Sequence, residues 1–169
     1  METEDKEERR SDLPLEGVRI LDIGTALAGP SGPTLLADFG AEVIKVEEPE
    51  KGDIIRNGLP QYEGHGVRWR VDGRGKKAIT LDLRKLEDQE KLRRLVCVSD
   101  AVVENFRAGT LERWNLSYED LKIANEEIIL VRVTGFGQEG PYRRRTAYDR
   151  MGVAMGGLSH VTGEPDRPP

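Results

Sequence analysis

Residues 18–47 read VRILDIGTALAGPSGPTLLADFGAEVIKVE, and this stretch decides the fold class. Residues 18–23 are a short apolar run containing Val and Ile, suited to a strand buried on both faces. Residues 24–29 are small and turn-like. Pro30 can open a helix, where its missing N–H costs nothing. Thr34, Leu35, Leu36 and Phe39 continue an amphipathic helix, and Gly40 ends it, as glycine commonly does past a last turn. Residues 42–47 alternate around Val43, Ile44 and Val46 and predict the next strand. A strand–helix–strand unit this tight implies parallel strands. The helix start facing the strand ends offers free N–H groups to an anion. The turn, GTALAGPSG, lacks the GxGxxG spacing of a dinucleotide fingerprint, which argues against a dehydrogenase.

Outward from this unit the pattern repeats. Strands are expected over 77–82, 100–104 and 128–133, the last being the most strand-like run in the chain. Residues 87–98 predict a helix with Leu86, Leu92, Leu95 and Val96 on one side. Thr110 is expected to cap a short helix holding Leu111 and Trp114, and Ser117 another, with Asp120 completing a capping box. Residues 147–158 predict a helix ended by Gly156 and Gly157. Residues 49–71 read as a long irregular connection, unusual unless functional or mobile. The sum is an α/β fold: an open, mostly parallel Rossmann-like sheet with helices on both faces. Residues 1–14 read as a charged flexible tail, 15–158 as the α/β domain, and the breaker-rich 159–169 as the start of a linker.

The 169 residues carry a net charge of −5, with 34% charged and 37% hydrophobic residues. That balance argues against generalised nucleic-acid binding. No apolar run is long enough to span a bilayer, and the N-terminus has no apolar signal core. A cytoplasmic protein is expected. The lone Cys97, inside an apolar run, is expected to be a buried thiol. Neither His65 nor His160 has a partner at metal-ligand spacing, so no metal is expected. Basic residues cluster at Arg74-Gly-Lys-Lys77, at Arg107 with Arg113, and at 143–145. On a parallel sheet these loops are expected to gather on one rim, where they would suit a polyanionic ligand.

Segments running in order from residue 15 to the last residue carry a resemblance: LEGVRILD at 15–22, AGP at 28–30, LADFGAEVIKVE at 36–47, GD at 52–53, RGKK at 74–77, DAVVENFR at 100–107, LSYEDL at 116–121, TGFGQEGPY at 134–142 and YD at 148–149. Together they are similar to the class III CoA-transferases, the family of formyl-CoA transferase. The resemblance implies an enzyme that moves coenzyme A between an acyl-CoA and a carboxylic acid, through an aspartyl-CoA intermediate. An aspartate carboxylate would be the nucleophile. It implies that Thr25, Ala26, Leu27 and Ala28 approach coenzyme A, with Arg74, Lys76, Asn105, Phe106 and Arg113 near the nucleotide. It places the nucleophilic aspartate beyond Pro169 and makes Asp149 a candidate supporting acid rather than the nucleophile. The fold would then be incomplete relative to the family, with a second domain absent, and the full-length enzyme a homodimer. Two alternatives remain. One is an acyl-CoA racemase of the same family, which carries a histidine where Tyr148 stands. The other is a catalytically inactive CoA- or nucleotide-binding module.

Overall fold

The computed structural model describes residues 13–164 and 167. Five strands form one wholly parallel sheet: β1 (Arg19–Asp22), β2 (Glu42–Glu47), β5 (Lys76–Thr80), β6 (Ala101–Glu104) and β7 (Ile129–Arg132), in the spatial order β5-β2-β1-β6-β7. The chain builds outward from β1 through β2 to β5, then crosses to β6 and β7. The strand order therefore reverses between β1 and β6, and a crevice opens beyond the carboxyl ends of those two strands.

Helices cover both faces. Leu21, Ile23, Val46 and Val102 face α3 (Leu86–Val96), α4 (Thr110–Arg113) and α5 (Tyr118–Ala124), packing with Leu92, Val96, Leu111 and Leu121. Ile20, Val43 and Val103 face the opposite way, with Ala37 of α1 (Ser31–Asp38) against them. Farther along that second face, Ile129 is 60% exposed and Val131 42% exposed on the edge strand β7.

Local chemistry sets the ends. Pro30 flanks α1 with φ −64°, and Gly40 leaves the helix at φ +102°. A Cβ on Gly40 would also lie 2.5 Å from the Cβ of Leu13. Leu13 and Pro14, read from sequence as tail, thus belong to a turn packed on the end of α1; residues 1–12 lie outside the described residues. Ser117 caps α5 through a complete capping box with Asp120.

Several expectations are corrected. Residues 49–71 are not irregular: they hold a 3₁₀ turn (Ile54–Asn57), a small hairpin of β3 (Gln61–Tyr62) and β4 (His65–Gly66), and α2 (Val67–Asp72). Breaker residues ended each element too early for periodicity to show. Gly109, in the left-handed region, precedes α4, so Thr110 is its first helical residue and not its cap. The buried stripe of α3 is Asp88, Gln89, Leu92 and Val96, and Leu86 is exposed. Cys97 follows Val96 by one residue, a rotation of about 100°, and is exposed rather than buried. After α6 (Asp149–Met155) the chain forms α7 (Leu158–Val161), which overlaps the start of the span read as linker, 159–169. Replacing Ser117 by Ala should lower stability by about 1 kcal/mol through loss of the cap, measured by urea unfolding.

Candidate functional site

Lysine in the middle of a buried parallel strand is the first anomaly of the site. Lys45 sits in VIKVE of β2 with its side chain 1% exposed. Its ammonium lies 3.2 Å from Asp53 and 3.7 Å from Asp22, and it donates to the carbonyl of Gly24. Asp22, at the end of β1, also accepts from Lys76 Nζ at 2.8 Å and from the Gly24 N–H at 3.1 Å. Lys76 Nζ donates in addition to the Pro30 carbonyl at 2.7 Å. Two buried carboxylates and two buried ammoniums thus alternate, so each charge has an opposite neighbour. Burial holds Lys76 below the usual lysine range, against the opposing pull of Asp22.

Glu47, at the end of β2, extends the network. It takes a bidentate pair of bonds from Arg56, both 2.6 Å, and the Asp53 N–H at 2.9 Å. The Arg56 guanidinium lies 3.8 Å from the centre of the Trp69 ring. Burial alone would push the Glu47 carboxyl up, but the bonds from Arg56 and Asp53 outweigh it and hold the group below the usual carboxylate range. On the far side of the crevice, Glu104 of β6 accepts from Arg132 at 2.7 Å and from the Phe106 N–H at 2.6 Å. Burial pushes Glu104 up despite both partners.

These anchored carboxylates frame a cleft of about 190 Å³ at the carboxyl ends of the strands. Ile23, Gly24 and Thr25 line it from the turn after β1, and Glu48, Gly52 and Asp53 from the loop after β2. Leu81, Asp82, Leu83 and Arg84 come from the turn after β5, and Phe106 and Trp114 from beyond β6. The two aromatic rings meet edge to face with centroids 5.1 Å apart. Arg84 donates to Asp82 and to Glu48, and those bonds raise it above its ordinary range. The walls are apolar and the mouth is charged, a combination that admits a flat ring system and leaves its charged groups in solvent.

The expected site residues divide. Thr25 and Asn105 meet across the switch point: the Thr25 N–H donates to Asn105 Oδ1 at 2.7 Å, and Asn105 Nδ2 donates back to the Thr25 carbonyl at 2.8 Å. A Cβ on Gly29 would lie 3.0–3.2 Å from Asn105 side-chain atoms, so a larger residue there would press on the asparagine. Ala26, Leu27 and Ala28 continue that rim, and Leu27 and Ala28 are exposed. Phe106 lines the cleft, and Arg113 stands exposed at the end of α4, donating to Thr110 Oγ1 at 3.0 Å. Arg74 and Lys76 do not join them. Arg74 precedes β5, at the amino end of the sheet, and is paired with Asp38 at 2.5 Å. Lys76 is held inside by Asp22 and Pro30. The structure thus does not gather the three basic clusters on one rim: a residue just before a parallel strand lies at the opposite end from one just after it.

Asp149 is exposed, in the first turn of α6, and no residue of that helix is buried. Arg145 stacks 4.0 Å from the centre of the Tyr142 ring, and Arg143 and Arg144 are exposed. Among the described residues, no group of three or more His, Cys, Asp or Glu is placed to hold a metal ion. Among them, too, no helix is long and apolar enough to cross a membrane. The cleft and its charge network also bring in Asp22, Lys45, Asp53, Leu81, Leu83 and Arg84, to which the sequence reading assigned no site role. For Lys45 a signal existed: a charge within an apolar strand.

The sequence profile of CoA-transferase family III matches residues 15–169. The chain belongs to CoA-transferase family III. It is 52% identical over 162 residues to the succinyl-CoA–D-citramalate CoA-transferase of Chloroflexus aurantiacus, covering 95% of this chain and 40% of that protein. It is 40% identical over 163 residues to the succinate–glutarate CoA-transferase of Agrobacterium fabrum, covering 92% of this chain and 41% of that one. Among solved structures it is similar to a CaiB/BaiF family protein from Brucella suis, with TM-score 0.87, 44% identity, and 94% and 43% of the two chains covered. A Mycobacterium tuberculosis protein matches with TM-score 0.85, 35% identity, and 94% and 44% covered. The chain therefore spans about two fifths of the length of these family III relatives.

Two outcomes check the charge network. Lys45→Met should destabilise the domain by about 3–5 kcal/mol, since it strips a buried partner from Asp22 and Asp53. Glu47 has a folded pKa below its unfolded value of about 4.3, so its stabilising contribution is complete above that value and is lost as pH falls through the folded pKa. Glu47→Gln should therefore be less stable than the parent chain at pH 7, with the gap closing below about pH 4, measured by urea unfolding at each pH.

Proposed function

We propose that this chain forms the coenzyme A-binding part of an acyl-CoA:carboxylate CoA-transferase. The observation that carries the proposal is the cleft at the carboxyl ends of β1, β2, β5 and β6 in a family III chain, with Phe106, Trp114, Leu81 and Leu83 as apolar walls and Arg84 at the mouth. An adenine ring would pack between the apolar walls, and the phosphates would extend past Arg84 and Arg113. The rim of Thr25, Ala26, Leu27 and Ala28, tied to Asn105, would lie along the pantetheine arm. Arg74 and Lys76 have no part in this reading.

The chemistry is group transfer through a carboxylate. An aspartate attacks the thioester carbonyl and expels the coenzyme A thiolate, leaving a mixed anhydride. The thiolate returns to the aspartyl carbonyl and releases the donor acid, giving aspartyl-CoA. The acceptor acid then repeats both steps in reverse order. We assign the nucleophilic aspartate to sequence outside these 169 residues and Asp149 to a supporting role. A succinyl-type donor is the first to test, because the relatives from Chloroflexus aurantiacus and Agrobacterium fabrum bear succinyl-CoA and succinate in their names. The full-length enzyme would act as a homodimer.

Titration calorimetry tests the binding step. Coenzyme A should bind the chain, and Arg84→Glu should weaken it by about tenfold or more through reversal of one close charge contact. Arg74→Glu, at the opposite end of the sheet, should leave the affinity unchanged. The reverse ranking would overturn the placement. With succinyl-CoA and a second acid, the isolated chain should give no CoA exchange; turnover with an intermediate on Asp149 would make that residue the nucleophile.

A further inference from the structure

Ala26 has φ +58°, the left-handed region that a residue with a Cβ enters only at an energetic cost. What holds it there is Asp53. The Ala26 N–H donates to both carboxylate oxygens of Asp53, each at 3.2 Å. Asp53 is 3% exposed and fully engaged: it accepts from the Ile55 N–H at 3.1 Å, lies 3.2 Å from Lys45 Nζ, and gives its own N–H to Glu47. The preceding residue, Thr25, is gripped on both its N–H and its carbonyl by Asn105. Two clamps from two different loops therefore act on consecutive residues, and both lie at the head of the exposed segment 27–28.

We propose that Asp53 is a positioning residue for acyl-CoA binding: its carboxylate, neutralised by the buried Lys45, keeps Ala26 left-handed and so sets the course of the 25–28 backbone along the cleft. This rests on the acyl-CoA reading of that cleft. Asp53 lines the cleft with a side chain only 1% exposed, and its role runs through Ala26. An asparagine at position 53 keeps the shape but offers one acceptor oxygen and no charge for Lys45. Without the clamp Ala26 relaxes toward negative φ, and the rim moves off the position that coenzyme A meets. A glycine at position 26 adopts the left-handed conformation without the Cβ cost, so it should replace the clamp in part.

The test compares the chain with Asp53→Asn, Ala26→Gly and the double variant. The first readout needs no ligand: hydrogen exchange of the Ala26 amide, followed by NMR. In Asp53→Asn this exchange should speed up by about tenfold or more, since the bifurcated bond that protects it is weakened. The second readout is coenzyme A affinity by calorimetry. Asp53→Asn should bind about tenfold more weakly, and the double variant should return to within about threefold of the parent, the glycine having removed the cost the clamp opposes. Unchanged amide exchange in Asp53→Asn overturns the proposal. So does a double variant that binds as poorly as Asp53→Asn, the result expected if Asp53 merely stabilises the fold. Should Asp53→Asn fail to fold, Ala26→Val decides: it leaves the carboxylate and Lys45 in place while disfavouring positive φ, and parent-like affinity there overturns the proposal. Failure of the unsubstituted chain to bind coenzyme A would count against the functional reading alone, and amide exchange would then decide for or against the clamp.

Discussion

The ammonium of Lys45 is the contact on which the rest of the molecule depends. A lone charge buried in a sheet costs several kcal/mol, and here the cost is met by bringing two carboxylates to it from different parts of the chain. Asp22 comes from the end of β1 and Asp53 from the loop after β2. Satisfying the lysine therefore closes the loop onto the sheet. The Gly24 carbonyl, also bonded to Lys45, pins the turn after β1 in the same step. Lys76 from β5 then balances Asp22, so three neighbouring strands share one charge network.

The consequence for function is a rigid frame around an open cleft. On the β2 side, Glu47 holds Arg56 and the backbone of Asp53; on the β6 side, Glu104 holds Arg132 and the backbone of Phe106. The loops after β1, β2 and β6 are each fastened by a carboxylate at the end of their own strand. Asn105 joins the two sides by bonding Thr25 across the switch point. Loops on such supports can present backbone to a ligand with little ordering cost at the moment of binding. The segment after β7 is built differently: its two helices bury no residue, and its contacts are aromatic and local, as between Phe136 and Tyr142. Beside it, Ile129 and Val131 leave apolar side chains in solvent on β7. A sheet edge of this kind is a surface that further polypeptide could cover.

What could be read from the amino-acid order follows from short-range chemistry. The strand–turn–helix–strand of residues 18–47, the glycine after α1, the capping box at Ser117 and the glycine pair after α6 all follow from local hydrogen bonding or from φ angles open to glycine. Parallel pairing follows too, because a helix between two short strands leaves little choice. Thr25, Asn105 and Phe106 were nominated for a ligand site only because their motifs resemble a family; nothing in the spacing of 25 and 105 says that they touch.

Tertiary structure alone decided the rest, and the reason is direction and distance. The RGKK run looked like part of a basic rim, yet where β5 begins puts Arg74 at the far end of the sheet and turns Lys76 inward. Cys97 looked buried by its neighbours, yet the helical turn carries it to solvent. The pairing of Ala26 with Asp53, and of Lys45 with both aspartates, joins residues that are well separated in sequence. Such contacts arise from the geometry of packed strands and loops, which composition and periodicity do not encode. By itself the sequence determined the class of fold and the family; the position of each charge, and hence which charges line the cleft and which hold the frame, was settled only when the strands came together.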